Sequence, residues 1–442
     1  MQINNFRINK ISINNYKKYT SLELKFDKQF MLIIGENGAG KTSVLDSLAT
    51  LLGGYLQAFK DISSTQRHSI TKQDIKLEII DKDDNISVKY HTPVIIDGEC
   101  NINDGLISIK RVRRNSNKTT MTTLLKTDNS ELIKIVKLLE NEDDILLPII
   151  SYHGTGRLWE QEYKKSSKMT NLTRLDGYKD CLNAKSNYTN FRIWFEKMEF
   201  NAFQIGKKIP LLEAVRVSVI KMLSLLTGKE VELFIYREAD LEIQYKDEEQ
   251  REKVSNLSDG YRNIIGIVSD IAYRMAILNP HLGLDVTDKT SGVVLIDEID
   301  LHLHPKWQKE ITNILTTLFP KVQFIATTHS PFIIQSQTAS SIIKIDENTT
   351  PLKADATQMS LEDIAELIQK IPTPQMSLQK IKMFETAKEY FEKLDLLEKG
   401  ELLQEEVKAV KDRLDEVSIL FEDNMAYVAF LERKRLVTES KL

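Results

Sequence analysis

The sequence predicts an α/β fold with a helical insertion and a C-terminal all-helical domain. The apolar run Phe30–Ile34 ends in a glycine-rich turn and is followed by a helical pattern of apolar residues, which is typical of a strand–turn–helix unit. Three more apolar runs, at 293–296, 322–326 and 342–345, alternate with helical patterns. After about residue 358 the strand patterns end, and glutamate, lysine and leucine dominate two long helical patterns.

Length and composition narrow the class of protein. The 442 residues correspond to roughly three domains, and the net charge of −4 excludes a uniformly basic nucleic-acid coat, although not a local basic groove. The two cysteines, Cys100 and Cys181, cannot form a disulfide framework or a four-cysteine zinc site. The sequence lacks a signal-peptide pattern and any apolar run of about 18 residues. We therefore expect a cytoplasmic protein without a membrane partner.

Strand and helix patterns divide the chain further. Apolar residues alternate with polar ones at 11–13 and 22–26, before the glycine-rich turn. Further strands are predicted at 75–80, 86–90, 106–112 and 145–152, turns at 81–85 and 97–105, a helix at 131–139, and a hairpin of 231–236 with 241–245. We expect an N-terminal lobe at 1–160, a helical insertion at 161–228, a C-terminal lobe at 229–357, and a helical domain for oligomer or partner contacts at 358–442.

The turn after the first buried strand has the spacing of a phosphate-binding loop. Residues 35–42 match G-x-x-x-x-G-K-[ST], in which glycines let backbone N–H groups face a phosphate next to a helix N-terminus. Lys41 would reach the β- and γ-phosphates of a nucleotide, and Thr42 would hold Mg²⁺. The candidate nucleotide-binding residues are Gly35, Asn37, Gly38, Ala39, Gly40, Lys41, Thr42 and Ser43.

The apolar run at 293–296 ends in two acids, Asp297 and Glu298. Unpaired carboxylates at the end of a buried strand cost desolvation free energy, so their presence indicates a function. Asp297 fits a role at Mg²⁺, and Glu298 fits the base that polarises an attacking water. The alternative is a strand that simply exits into solvent.

Two weaker motifs flank this acidic pair. Ser258 and Gly260 lie in a Leu-Ser-x-Gly segment before a helix; Ser258 could be only the helix N-cap, or the segment could form a second anion site facing a γ-phosphate. His329 ends the strand predicted at 322–326 and fits a hydrogen-bond donor to a γ-phosphate. His302 and His304 suggest a metal site, but no third ligand is evident.

In the order and context of four elements, the chain resembles the ABC-type P-loop ATPase head of the structural-maintenance, RecF and OLD type. These elements are the loop at 35–42, the Leu-Ser-x-Gly segment, the acidic pair and the segment of His329. The resemblance implies ATP and Mg²⁺ as cofactors and a head-to-head dimer with composite sites. Lys41, Thr42, Asp297, Glu298 and His329 would then act in cis, with Ser258 and Gly260 in trans, while Asp300 matches a loop that contacts the partner head. The Gln loop of that family stays open among Gln66, Gln73 and the region of His153.

Softer motifs resemble the ATPases of bacterial anti-phage defence, in particular the PtuA family of Septu and retron systems. They lie at 148–159, 174–178 and 424–431. The resemblance implies a higher oligomer and a separate HNH nuclease, PtuB. A reverse transcriptase with its RNA–DNA product, and DNA, are further partners that it leaves open.

Two other functions also stay open: a RecF-like ATPase of DNA repair or recombination, and the ATPase partner of a Toprim-type defence nuclease. Between Lys41 and Ser258 there are no sustained heptads, which excludes a long coiled-coil arm. The basic segment 110–114 could contact nucleic-acid phosphates. The interpretation favoured by the sequence is instead a charged, solvated strand edge.

Overall fold

The computed structural model forms two compact units, Met1–Leu361 and Glu362–Leu442. It describes residues 5–59, 61–63, 68–82, 85–103, 105–117, 119–124, 137, 144–158, 173–184, 188–238, 240–346, 354–398 and 408–413. None of the described helices combines the length and apolar composition needed to cross a bilayer.

The strands and helices are numbered in chain order. The strands are β1 (Phe6–Tyr16), β2 (Tyr19–Lys25), β3 (Phe30–Ile34), β4 (Leu77–Lys82), β5 (Asn85–Tyr90), β6 (Val94–Ile102), β7 (Gly105–Arg113), β8 (Met121–Leu124), β9 (Ile149–His153), β10 (Val231–Arg237), β11 (Asp240–Tyr245), β12 (Glu252–Lys253), β13 (Gly292–Ile296), β14 (Val322–Thr327) and β15 (Ile342–Lys344). The main helices are α1 (Lys41–Leu56), α2 (Tyr188–Ile205), α3 (Pro210–Thr227), α4 (Asp259–Leu278), α5 (Val286–Lys289), α6 (Pro305–Leu318), α7 (Pro331–Gln335) and α8 (Leu378–Glu398).

A five-stranded parallel sheet forms the centre of the first unit, in the order β15-β3-β14-β13-β9. Every residue of β3, β9, β13 and β14 is buried, as expected for parallel strands covered on both faces. The carboxyl ends of parallel strands meet at one edge of the sheet. The loops after β3, β13 and β14 therefore lie close together although they are far apart in sequence.

An antiparallel sheet, in the order β2-β1-β6-β7-β8, forms a second layer. Helix α1 contacts β6 and β7 of this sheet and β13 and β14 of the parallel one. Because α1 packs between two sheets, nearly all of its residues are buried rather than one stripe alone. The helix that follows the glycine-rich turn is thus held on both sides.

The prediction of a turn at 97–105 is wrong, because residues 94–102 form strand β6 in the middle of the antiparallel sheet. Its inward residues alternate, with Val94, Ile96, Cys100 and Ile102 buried. The polar run around Gly98 hid this pattern in the sequence. A side chain at Gly98 would collide with Leu51 of α1, so the glycine serves helix packing rather than a turn.

Most other predicted elements of the first unit are present with shifted ends. Strand β9 starts at Ile149, four residues later than predicted, and β4 starts at Leu77. The hairpin of β10 and β11 forms as expected, and β12 extends it to three strands. Helices α2 and α3 lie in the predicted insertion, and α3 packs against α4. The helix predicted at 131–139 lies outside the described residues except for residue 137.

The regular secondary structure in the described part of the second unit is helical. Helix α8 covers one of the two long helical patterns, and residues 408–413 form part of the other. Arg413 donates to Glu389 at 2.6 Å, which joins these two helical segments. The segment 424–431, which contributed to the resemblance, lies outside the described residues.

Candidate functional site

The phosphate-binding loop connects β3 to α1, with Lys41 as the first residue of the helix. Gly38 and Gly40 adopt left-handed backbone conformations, with φ of 76° and 98°, which favour glycine. The Lys41 Nζ atom donates to the carbonyl oxygens of Gly35 at 2.9 Å and Glu36 at 3.1 Å. The loop is therefore wrapped around its own ammonium group.

Burial lowers the pKa of Lys41, while the nearby carboxylates of Asp297, Glu298 and Asp300 act to raise it. The ammonium is thus partly desolvated and faces three acids from a different part of the chain. Partly desolvated positive charge interacts more strongly with a phosphate than exposed charge does. The loop has the geometry and the charge of an anion site.

Two residues that sequence reasoning missed hold this loop from outside. Lys18 Nζ, in the turn between β1 and β2, donates to the Gly38 carbonyl at 2.8 Å, and Tyr19 Oη, at the start of β2, donates to the Ala39 carbonyl at 3.0 Å. A side chain at Gly40 would meet Tyr19 Oη at 2.5 Å. Nothing in the local pattern around Lys18 and Tyr19 signals this contact, because it depends on the tertiary packing of the two sheets.

The first of the paired acids is hydrogen-bonded to the phosphate-binding loop. Thr42 Oγ1 donates to Asp297 Oδ2 at 2.9 Å, and Asp297 is only 3% exposed. Thr42 itself is exposed at the start of α1. A hydroxyl and a carboxylate oxygen are the hard ligands that Mg²⁺ prefers. These two side chains therefore fit Mg²⁺, as the sequence predicts.

The second acid follows a sharp backbone turn. Glu298 has a φ of 47°, which is uncommon outside glycine. Its N–H donates to Thr327 Oγ1 at 2.8 Å, and the N–H of Ile299 donates to the Thr327 carbonyl at 3.0 Å. The end of β14 thus stabilises the backbone turn at Glu298, directly after Asp297.

The segment after β14 also holds the next acid. Thr328 Oγ1 donates to Asp300 Oδ1, and Ser330 Oγ caps α7 by accepting from the N–H groups of Phe332 and Ile333. His329 lies between these two residues and is half-buried. The structure therefore brings Asp300 and the segment of His329 together at the same edge of the sheet.

The two other histidines have a different place. His304 Nδ1 accepts from the Lys306 N–H at 3.2 Å and so caps α6. His302 has a φ of 61° in the turn before that helix. No group of three metal-ligating side chains occurs in the described part of the chain. The alternative of a histidine metal site gains no support there.

The Leu-Ser-x-Gly segment starts α4 and packs on the loop that follows Asp300. A side chain at Gly260 would meet the His302 carbonyl at 2.5 Å, and Asn263 Nδ2 donates to the Leu301 carbonyl at 2.7 Å. Ser258 occupies the N-cap position, but its side chain does not cap the helix, and it is exposed. The capping interpretation of Ser258 therefore fails for its hydroxyl, which stays at the surface.

Buried polar contacts join α4 to β9, the strand beside the acids. Arg274 Nε donates to Asp270 Oδ2 at 2.8 Å, and Ser151 Oγ donates to the same oxygen at 3.1 Å. His153, whose ring lies 3.7 Å from Asp270, accepts the Asp297 N–H at its carbonyl. Of the candidates for a Gln loop, His153 lies beside Asp297. Gln73 is exposed, and Gln66 lies outside the described residues.

The motifs at 148–159 and 174–178 contribute to contacts within the head. Arg174 Nε donates to the Leu278 carbonyl and Tyr178 Oη to the Pro148 carbonyl, both at 2.8 Å. These bonds tie the segment 174–178 to the end of α4 and to the chain before β9. The segment therefore stabilises the head, irrespective of any other role.

The basic segment 110–114 is not the charged strand edge that the sequence favours. Strand β7 is paired on both sides, with β6 and β8. Arg111 is fully buried and donates to the His68 carbonyl at 2.9 Å. Arg113 donates to the carbonyls of Ile70 and Ser116. Both guanidinium groups therefore hold neighbouring chain segments.

Models of two known protein families match parts of the chain. Residues 10–265, more than half of it, match the family described as AAA domain. The chain belongs to this family. A second AAA-domain family, whose description adds AbiEii toxins and type IV toxin–antitoxin systems, matches residues 243–335 of this AAA-domain protein. The predicted fold class, an α/β P-loop ATPase head with a helical insertion and a C-terminal helical region, is confirmed.

Several named relatives of this AAA-domain protein are retron ATPases or Septu proteins. It is 27% identical over 405 residues to "Retron Vc95 probable ATPase" of Vibrio cholerae serotype O1 biovar El Tor, covering 78% of this chain and 75% of the relative. It is 26% identical over 347 residues to "Septu protein PtuA" of Bacillus mycoides, covering 77% of this chain but 40% of that relative. The resemblance inferred from the motifs is confirmed.

Among solved structures, the Smc head domain with an extended coiled coil from Pyrococcus furiosus is similar to this chain. The matched region covers 83% of this chain and 99% of the Smc head chain. The sequence identity is 15% and the TM-score 0.45. An overlap of this degree assigns no role to any residue.

Proposed function

We propose that this protein is a cytoplasmic ATPase that binds ATP with Mg²⁺ and controls a partner nuclease in an anti-phage defence complex. The observation that supports the ATPase most directly is the hydrogen bond from Thr42 to Asp297 at 2.9 Å. This bond joins a phosphate-binding loop to a pair of acids from the other half of the head. Phosphoryl transfer to water needs these two parts at one place.

Each residue of the site has a defined task in hydrolysis. The Lys41 ammonium and the N–H groups of residues 35–43 bind the β- and γ-phosphates. Thr42 and Asp297 would hold Mg²⁺, which supplies positive charge against the phosphate oxygens when it is bound. The Glu298 carboxylate accepts a proton from the attacking water. His329 would donate a hydrogen bond to the γ-phosphate.

The exposed start of α4 supports a composite site. The Ser258 side chain does not cap its own helix, so its hydroxyl and the N–H groups at the helix N-terminus can bind an anion. In a two-fold dimer, the same surface of each head faces the other head. Ser258 and Gly260 of one chain would then face the ATP of its partner, with Asp300 at the contact between heads.

The defence role rests on the relatives named after retron and Septu systems. Because the chain spans 40% of one of these relatives, their complete activity is a proposal here. No His/Cys/Asp/Glu cluster suited to a metal-dependent nuclease is found among the described residues. Nucleic-acid cleavage is therefore assigned to a separate HNH nuclease. In a retron, a reverse transcriptase and its RNA–DNA product would belong to the same complex.

The helical domain at 358–442 is proposed to mediate oligomer and partner contacts. Removing it should leave an ATPase head that still binds ATP but no longer co-purifies with the nuclease encoded beside it. Co-purification of the truncated head with that nuclease would contradict the assignment.

Substitution of Lys41 tests the ATPase assignment. Lys41→Ala should abolish ATP binding in calorimetry and protection of cells against phage when the chain is expressed with its neighbouring genes. Lys28→Ala, at an exposed position before β3, should change neither. Unaltered ATP binding by Lys41→Ala would contradict the site. ATP-dependent binding of gapped DNA without a neighbouring nuclease would favour the RecF-like alternative, and a neighbouring Toprim nuclease would favour the other defence system.

A further inference from the structure

The hydroxyl of Thr327 contacts both acids of the site. Thr327 is the last residue of β14 and is fully buried. Its Oγ1 donates to Asp297 Oδ1 at 2.6 Å and accepts from the Glu298 N–H at 2.8 Å. One side chain, 29 and 30 residues beyond the acids, therefore restrains two consecutive residues that directly follow strand β13.

The two oxygens of Asp297 have different partners. Oδ2 accepts from Thr42 and Oδ1 accepts from Thr327. With a donor on each oxygen, the carboxylate cannot rotate freely, so Oδ2 stays on the side of Thr42. Hydrogen bonds of this kind orient metal-binding carboxylates and tune their affinity.

Glu298 depends on the same hydroxyl through its backbone. Its φ of 47° lies in a region that residues other than glycine occupy at a cost. The hydrogen bond from its N–H to Thr327 Oγ1 stabilises that conformation. Without the acceptor, the part-buried N–H would lose this hydrogen bond and the turn would lose one of its restraints.

We infer that Thr327 is a positioning residue, which sets Asp297 for Mg²⁺ and Glu298 for the attacking water. The inference rests on the proposed ATPase function. The neighbouring Thr328 does not share this role, because its hydroxyl donates to Asp300 instead. Thr327 acts through the two acids and makes no contact with the nucleotide in this assignment.

Two substitutions at Thr327 separate the hydroxyl from the shape of the side chain. Thr327→Val keeps the volume and removes both hydrogen bonds, whereas Thr327→Ser keeps the hydroxyl. Thr290→Val is the matched control, because Thr290 is also fully buried and accepts a hydrogen bond, from Asn279 at 3.1 Å, but precedes β13 at the opposite edge of the sheet. Each full-length variant is examined by thermal unfolding and by ATP-binding calorimetry over a series of Mg²⁺ concentrations.

Thr327→Val should raise the Mg²⁺ concentration needed for half-maximal ATP binding by about tenfold or more, a typical effect of losing such a partner. Thr327→Ser should stay within about threefold of the wild type, and Thr290→Val should lower the unfolding temperature without changing the Mg²⁺ dependence. An unchanged Mg²⁺ dependence in folded Thr327→Val, or an equal change in Thr290→Val, would overturn the inference. If the wild-type chain binds no ATP with Mg²⁺, the proposed function fails instead.

Discussion

Thr42 and Asp297 are 255 residues apart in the chain and hydrogen-bonded at 2.9 Å. The strands that lead to them, β3 and β13, are not neighbours, because β14 lies between them. The bond therefore crosses the carboxyl end of β14, where Thr327 contacts the same carboxylate. The site forms only when three strands from distant parts of the sequence are assembled in their parallel order.

Replacing Glu298 by glutamine should separate binding from hydrolysis. Glutamine keeps the size of the side chain but cannot accept a proton from water, so turnover should fall by about 100-fold or more. ATP binding should remain, because Lys41 and Thr42 are unaltered, and the ATP-bound dimer should accumulate. Turnover is measured by phosphate release and the dimer by light scattering with ATP.

Glu310→Gln is the matched control for this substitution, since Glu310 lies exposed on α6. It should leave turnover and oligomeric state unchanged. Normal turnover in the Glu298→Gln variant would remove Glu298 from its assigned role.

The sequence was sufficient to predict the buried strands β3, β13 and β14 and the polar motifs that follow them. Buried parallel strands are continuous apolar runs, and β3, β13 and β14 each lead directly into a polar motif. Since all parallel strands end at one edge, the motifs at Gly35–Thr42, Asp297 and His329 could be expected to meet. The local pattern and the fold agree at these places.

The contacts that the sequence did not predict depend on packing between elements. Lys18 and Tyr19 read as ordinary surface residues until the β1–β2 turn is placed on the phosphate-binding loop. Arg111 reads as a surface charge, but its side chain is fully buried and its strand is paired with β8. Thr327 precedes a recognisable histidine, but its bonds to the acids require the relative position of β13 and β14. Single-sequence patterns contain no information on these distances.

Mixing two inactive variants should test whether the site is shared between chains. Lys41→Ala removes the phosphate-binding ammonium of its own chain, and Ser258→Arg places a bulky side chain at the exposed start of α4. If Ser258 acts in trans, each variant alone should be inactive. At equal mixing, about a quarter of the wild-type turnover should return, because half of the dimers are mixed and each of those has one intact site.

The phosphate-release assay on the mixture gives the result directly, with the mixture at the same total protein concentration as the wild-type control. No recovery at any mixing ratio, although co-purification of two differently tagged variants shows that mixed dimers form, would contradict a site formed in trans.

Breaking the ion pair of Asp270 and Arg274 should cost stability in a way that depends on pH. Burial disfavours the ionised form of Asp270, but the electrostatic effect of Arg274 and His153 and the hydrogen bonds from Arg274 and Ser151 outweigh it, so the pKa of this carboxyl lies below its ordinary value. Arg274→Met leaves the carboxylate buried without its main partner and should lower the free energy of unfolding by about 3–5 kcal/mol at neutral pH. A group whose pKa is lowered on folding stabilises the protein above its unfolded pKa, about 3.9, and loses that effect as the pH falls. In the variant, burial without Arg274 raises the pKa of this carboxyl, so the difference between wild type and variant should be largest near neutral pH and shrink as the pH falls to about 4 and below. Denaturant unfolding at several pH values measures this difference in the free energy of unfolding.

Lys289→Met is the control, because it breaks the exposed pair with Asp285 at the same i,i+4 spacing. It should lower the free energy of unfolding by no more than about 0.5 kcal/mol. Equal losses in the two variants would show that burial does not determine how much the Asp270–Arg274 pair contributes to stability.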